Sequence, residues 1–144
     1  MDYRMILLNI TEQKKKNIKF VVNVIKNICL KRNFEEAVIK CNLFLYQIED
    51  SNDEILSEEL SDLKIKIIDL IDELKFTIHT EIRFVLFPLP DIKKAAYEMG
   101  KKYMKNFLKW IKPEDNYTPE QLMGILEDEL YRLDDMKEIL EKIK

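Results

Sequence analysis

The chain has 144 residues, 47% hydrophobic and 35% charged, with a formal net charge of −3, two glycines and four prolines. Those proportions exclude collagen-like, low-complexity and disulfide-dense classes, and a chain of this length buries enough surface to build a core without a metal or a disulfide. No apolar run approaches the roughly 20 residues a membrane span needs, the best being Phe84 to Leu89, which contains a proline.

Hydrophobic spacing is helical almost throughout, and the expected class is all-α: about five helices in a helical bundle, with one long central helix over about 52–87. A first helix is predicted from about Thr11 to Lys31, with Ile18, Val21, Val22, Ile25 and either Ile28 or Cys29 on one face and Lys15, Lys19 and Lys26 on the other. Asn33 followed by Glu36 reads as a capping box with Asn in the capping role, opening a second helix through Ile48. Ser51 and Glu54 repeat that device ahead of the third helix.

The third helix is the most regular. Leu56, Leu60, Leu63, Ile67, Leu70 and Leu74 step by four and three, Ile78, Ile82 and Val85 continue the face, and Ile65, Ile68 and Ile71 add apolar area beside it. A stripe that broad suits a helix packed between neighbours better than a two-stranded coiled coil. Pro88 and Pro90 set its end. A fourth helix is predicted from Asp91 to before Pro113. Thr118-Pro119-Glu120-Gln121 supplies an N-cap, a proline at the first helical position and a capping-box partner for a fifth helix reaching the C-terminus. The expected organisation is a three-helix unit over 1–87 and a two-helix extension over 88–144 packed on it as one domain.

Charge alternates in blocks: +6 over residues 1–32, −8 over 33–90, +5 over 91–112 and −6 over 113–144. The near-neutral total therefore conceals two basic and two acidic segments, which either neutralise each other within the fold or face separate partners. Lys far outnumbers Arg and Ile is abundant, as in A+T-rich coding, so the lysine count alone is weak evidence of a lysine-specific role. Cys29 and Cys41 lie among apolar residues with no secretory signal ahead of them, which implies buried thiols and a cytoplasmic location.

Enzyme chemistry finds little support. The single histidine, His79, lies late in the long helix and cannot supply the paired Glu-x-x-His of a di-iron bundle. The cysteines have no zinc spacing, and there is no phosphate loop or nucleophile elbow. Glu58 with Asp62, and Asp69 with Glu73, stand one turn apart, but no oxygen-rich loop completes a cation shell, so a solvated acidic face is the favoured reading. No cofactor or metal is expected.

On the fourth predicted helix, Ile92, Ala96, Met99, Tyr103, Phe107 and Trp110 gather near one face and Lys94, Lys101, Lys105 and Lys112 on the opposite one. Lysines so arranged neutralise phosphates; the plainer reading is a core helix with solvated lysines. A membrane-surface helix is a third reading, ranked lower because Ala95, Ala96 and Gly100 leave room for a neighbouring helix.

Asn33-Phe34-Glu35-Glu36-Ala37 reads like the aromatic-acidic-acidic-Ala start of the second helix in two families, and Asp72-Glu73-Leu74-Lys75 is similar to an acidic-Leu-Lys close of a third. On these residues the segment from Lys14 to Lys75 resembles a three-helix microtubule-interacting and trafficking (MIT) domain, and its first helical pair a tetratricopeptide hairpin. Cys41 stands where an aromatic is usual and Phe44 where a small residue is expected. No second copy appears at a 34-residue period, so a repeat array is excluded. The resemblance implies a groove between the second and third helices that accepts an amphipathic helix of another protein. The acidity of this stretch adds that such a helix should be basic on its flanks.

The leading expectation is a non-enzymatic interaction protein. Glu58, Asp62, Asp69 and Asp72 would steer a partner helix, with Ile65 or Ile68 as its anchor. The alternative is an accessory subunit of a nucleoprotein assembly, comparable in size and charge to CRISPR small subunits, using Lys15, Lys19, Lys26, Lys94, Lys101, Lys105 and Lys112. The long third stripe leaves oligomerisation with a second copy open.

Overall fold

A computed structural model describes residues 3–50, 57–86, 107 and 117–143. Those residues form four α-helices and no strand: α1 (Tyr3–Arg32), α2 (Glu35–Asp50), α3 (Ser57–Leu86) and α4 (Pro119–Lys142). Four helices lie among the described residues, against about five expected for the whole chain. Of the predicted fourth helix only Phe107 is among the described residues, and it is helical; the Ser51–Glu54 capping box lies outside them, and α4 corresponds to the predicted fifth. No helix among the described residues is long and apolar enough to cross a membrane.

α1 begins eight residues before the predicted start at Thr11. Its apolar face is as expected, with Ile18, Val21, Val22, Ile25, Ile28 and Cys29 all buried. The α1–α2 turn corrects the expected capping role of Asn33. Asn33 has φ 57° and ends α1 rather than opening α2. The Phe34 N–H donates to the Cys29 carbonyl at 3.0 Å and the Asn33 N–H to the Leu30 carbonyl at 3.4 Å, the paired bonds of a Schellman motif. That motif needs a left-handed residue, and asparagine tolerates the conformation better than other non-glycine residues. Phe34 then precedes α2, its carbonyl accepting from the Val38 N–H at 3.0 Å. Glu35 and Glu36 occupy the first turn of α2, where carboxylates complement the helix dipole.

α4 opens as the sequence predicts. Thr118, in extended geometry, accepts at its hydroxyl from the Gln121 N–H at 3.1 Å, the Gln121 side-chain oxygen accepts from the Thr118 N–H at 2.9 Å, and Pro119 follows the cap. One stripe of α4, Leu122, Leu126, Leu133, Met136 and Leu140, turns to the core.

The most extensive packing is α1 on α2 and α3 on α4, followed by α1 on α4; α3 touches α1 and α2 only slightly. Both major pairs are antiparallel, which the cross-helix contacts record. Lys19 reaches Glu49 at 2.9 Å while Cys29 meets Cys41, nearer the turn. Between α3 and α4, Lys64 donates to the Ile143 carbonyl at 2.8 Å, Lys137 lies 2.9 Å from Asp72, and Lys75 lies 2.5 Å from Asp134, so partners descend α4 as they ascend α3.

The shared core contains Leu60, Leu63, Ile67, Leu70, Ile71, Leu74 and Ile78 of α3, the α1 stripe, Leu126, Leu133, Met136 and Leu140 of α4, and Ala37, Cys41, Phe44 and Ile48 of α2. Phe107, helical and buried, joins it. Each fully buried Leu or Ile contributes about 1.5–3 kcal/mol.

Candidate functional site

The acidic residues expected to face a partner lie on α3, and helical spacing decides which come together. Asp62, Ile65, Asp69, Asp72, Phe76, His79 and Arg83 step by three and four, and all are exposed. Ile65 is 55% and Phe76 67% accessible, so two large apolar side chains stand on an otherwise charged face. Ile68 turns inward and packs against the core, which removes it as an exposed anchor. Glu58 lies in the first turn of α3. Asp72 is held by Lys137, whose ammonium donates to its carboxylate and is itself raised above the ordinary lysine value by that bond. Glu73, beside this face, reaches Lys40 of α2 at 3.5 Å. The apolar Ile65–Phe76 pair and the two carboxylates Asp62 and Asp69 are what the face offers to another molecule.

The expected lysine face separates into different environments. Lys15 is buried, contrary to the solvated face predicted for it. It continues the Ile18, Val22, Ile25 stripe by one turn, so its stem packs inward while its ammonium lies 3.6 Å from Glu12. Lys19 pairs with Glu49, and Lys26 is half-buried beside Cys41. Lys94, Lys101, Lys105 and Lys112 lie outside the described residues.

A cluster the sequence reading missed sits where α1, α3 and α4 converge. Arg32, the last residue of α1, donates from one guanidinium nitrogen to Glu81 of α3 and from the other to Glu129 of α4. Arg32 is 1%, Glu81 0% and Glu129 8% accessible, so the ions are shut off from water. The guanidinium carbon lies 5.1 Å from the centroid of the Phe34 ring, which covers its flat side.

Two carboxylates on one guanidinium leave an excess negative charge, and burial disfavours it. Burial pushes the Glu81 carboxyl up to about 8; Arg32 opposes that rise and the nearby Glu129 reinforces it. Glu129 is also raised, by burial first, with Arg32 opposing. At neutral pH Glu81 is accordingly mostly protonated. The second Glu81 oxygen, Oε1, has no hydrogen-bond partner among the described residues.

The signal for this cluster was present in the periodicity. Arg32 continues the buried Ile25, Ile28, Cys29 stripe, Glu81 follows Leu74 and Ile78 on theirs, and Glu129 stands between Leu126 and Leu133. Charged residues on core stripes are stable only when paired, and here one guanidinium meets two carboxyl groups.

Cys29 and Cys41 are free and buried, as expected. The Cys29 thiol donates to the Cys41 sulfur. That bond and burial push Cys29 well above the ordinary thiol value, while Cys41, the acceptor, is lowered with help from Lys26. The pair lies in the α1–α2 seam, at 0% exposure for both residues.

His79 is exposed on the outer face of α3. Among the described residues no three His, Cys, Asp or Glu side chains gather to hold a metal ion. A shallow depression beside the start of α4 is lined by Tyr117, Gln121, Gly124, Ile125 and Asp128. Comparison with protein-family models, with curated proteins and with solved structures returns no match for this chain.

Proposed function

We propose that this protein is a non-enzymatic, cytoplasmic interaction protein, a helical bundle of about five helices that binds an amphipathic helical segment of another protein on the outer face of α3. The observation carrying this reading is the alignment of Asp62, Ile65, Asp69 and Phe76 on one exposed helical face. Carboxylates there steer a basic segment toward the surface, and Ile65 and Phe76, three turns apart, anchor its apolar side. Exposed aromatic and aliphatic anchors within a charged rim are the usual composition of a helix-binding surface. The Lys40–Glu73 pair runs along the border with α2, where the MIT-like resemblance implies a groove.

Contact with nucleic acid through the first helix draws less support. Of its three candidate lysines, Lys15 is buried and Lys19 is paired with Glu49.

The test is affinity capture from a cell extract with the wild-type chain and with Asp62→Lys/Asp69→Lys, each retained protein being quantified by mass spectrometry. A partner that binds through α3 is retained by the wild type, lost on charge reversal and eluted by moderate salt. A partner retained equally by both chains at all salt concentrations refutes the role of the acidic face.

A further inference from the structure

We propose that α2 presents a second docking surface, the ridge Ile39–Leu43–Tyr46, for a basic amphipathic helix of a partner protein. α2 buries Ala37, Cys41, Phe44 and Ile48 on its inward side. On the opposite side Ile39 is 59%, Leu43 56% and Tyr46 65% accessible. These three follow the i, i+4, i+7 spacing of one helical stripe, so they form a continuous ridge.

An ordinary surface helix is apolar on one face and polar on the other, whereas apolar residues on both faces belong to a helix covered on both sides. Single exposed apolar residues need no explanation; an aligned set marks an interaction surface. Among the described residues α2 packs on α1 and slightly on α3, neither of which covers this ridge. Tyr46 adds an aromatic body with a polar tip, a side chain favoured at interface centres.

Charge selects the occupant. α2 carries Glu35 and Glu36 at its start, Glu49 and Asp50 at its end, and Lys40 as its one basic residue. Lys40 is engaged with Glu73 and Glu49 with Lys19 of α1, and α2 itself still carries four acidic residues against one basic. A second copy of α2 laid on the ridge in either direction would set acidic ends against acidic ends, which disfavours self-pairing. Phosphate backbones and anionic lipid surfaces are repelled for the same reason. A helix with Lys or Arg toward both ends and Leu, Ile or Met along one stripe fits both features. Glu35 to Glu49 spans about 21 Å of helix, so the partner segment needs about 14 residues, or four turns. This surface is separate from the α3 face and does not depend on that reading.

The probe is a fluorescein-labelled designed helix of about 18 residues, with leucines at i, i+4, i+7 and i+11 and lysines at both ends. Its anisotropy is followed as protein is added. Saturable binding is expected, weakened about tenfold or more by Leu43→Asp and by Tyr46→Ser. Both substitutions fall on exposed positions, and far-UV circular dichroism checks that each variant remains helical. The same peptide with glutamates at its ends should fail to bind. A basic amphipathic probe also fits the α3 face, so the titration is repeated in the Asp62→Lys/Asp69→Lys background, where Leu43→Asp should still weaken binding about tenfold or more. Equal affinity for wild type and Leu43→Asp overturns the proposal, as does the absence of saturation up to about 1 mM protein. A dimer in sedimentation analysis that Leu43→Asp abolishes also overturns it, by assigning the ridge to a second copy.

Discussion

Raising the pH from 5 to 8 should weaken the fold through one carboxyl, Glu81, and Glu81→Gln should remove that dependence. The folded chain holds Glu81 up to about 8, against 4.5 for an ordinary glutamate. Between those values the folded state carries a proton that the unfolded chain has released, so unfolding becomes more favourable as pH rises. The contribution is fully present below about pH 4.5, declines through the interval and is lost above about pH 8. One proton of difference corresponds to a slope of about 1.4 kcal/mol per pH unit near the middle of the window. Glutamine keeps the shape and cannot ionise, and it leaves the Arg32–Glu129 contact in place. Urea unfolding followed by circular dichroism at pH 5, 6.5 and 8 measures both chains. The difference in unfolding free energy, wild type minus Glu81→Gln, should fall steadily across the three pH values. A difference that is constant with pH refutes the protonated cluster, because every other titrating group is common to both chains.

Two further outcomes follow from the same geometry. Arg32→Met strands two buried carboxylates and should cost about 3–5 kcal/mol in the same assay. Arg32→Met/Glu81→Leu/Glu129→Leu should recover most of that loss, and a triple variant as unstable as the single one would show that the charges themselves hold the junction together. Asn33→Val places a β-branched residue at φ 57° and should cost about 1–2 kcal/mol, lowering the thermal midpoint by several degrees. Asn33→Gly should be tolerated; equal losses for the two would remove the left-handed cap as the reason.

Much of the helical layout was legible without coordinates because it rests on local rules. The capping box at Thr118 and the apolar stripes of α1 and α3 follow from spacing of 3.6 residues and from hydrogen bonds within a few residues. Asn33 was misassigned because asparagine serves either end of a helix. Only the backbone hand, set by where α2 must turn back onto α1, distinguishes a left-handed C-terminal cap from an N-cap. Lys15 shows the limit of reading a face from charge: its ammonium reaches Glu12 while its methylenes complete an apolar stripe.

Local patterning was enough to read the helices of the described residues, the apolar positions along α1, α3 and α4, and the burial of the two cysteines. It also offered Glu58, Asp62, Asp69 and Asp72 as an acidic set on α3, with Ile65 and Ile68 as equal candidates for the apolar anchor. Tertiary structure decided that α3 packs chiefly on α4, that Ile68 turns to the core while Ile65 stays outside, and that Ile39, Leu43 and Tyr46 are left uncovered. It also decided that Arg32, Glu81 and Glu129, separated by 49 and 97 residues from the arginine, share one buried site. Periodicity marks a charged residue on an apolar stripe as an anomaly, but its resolution is non-local. The compensating charge arrives from another helix, and which helix arrives is fixed by how the apolar faces pack.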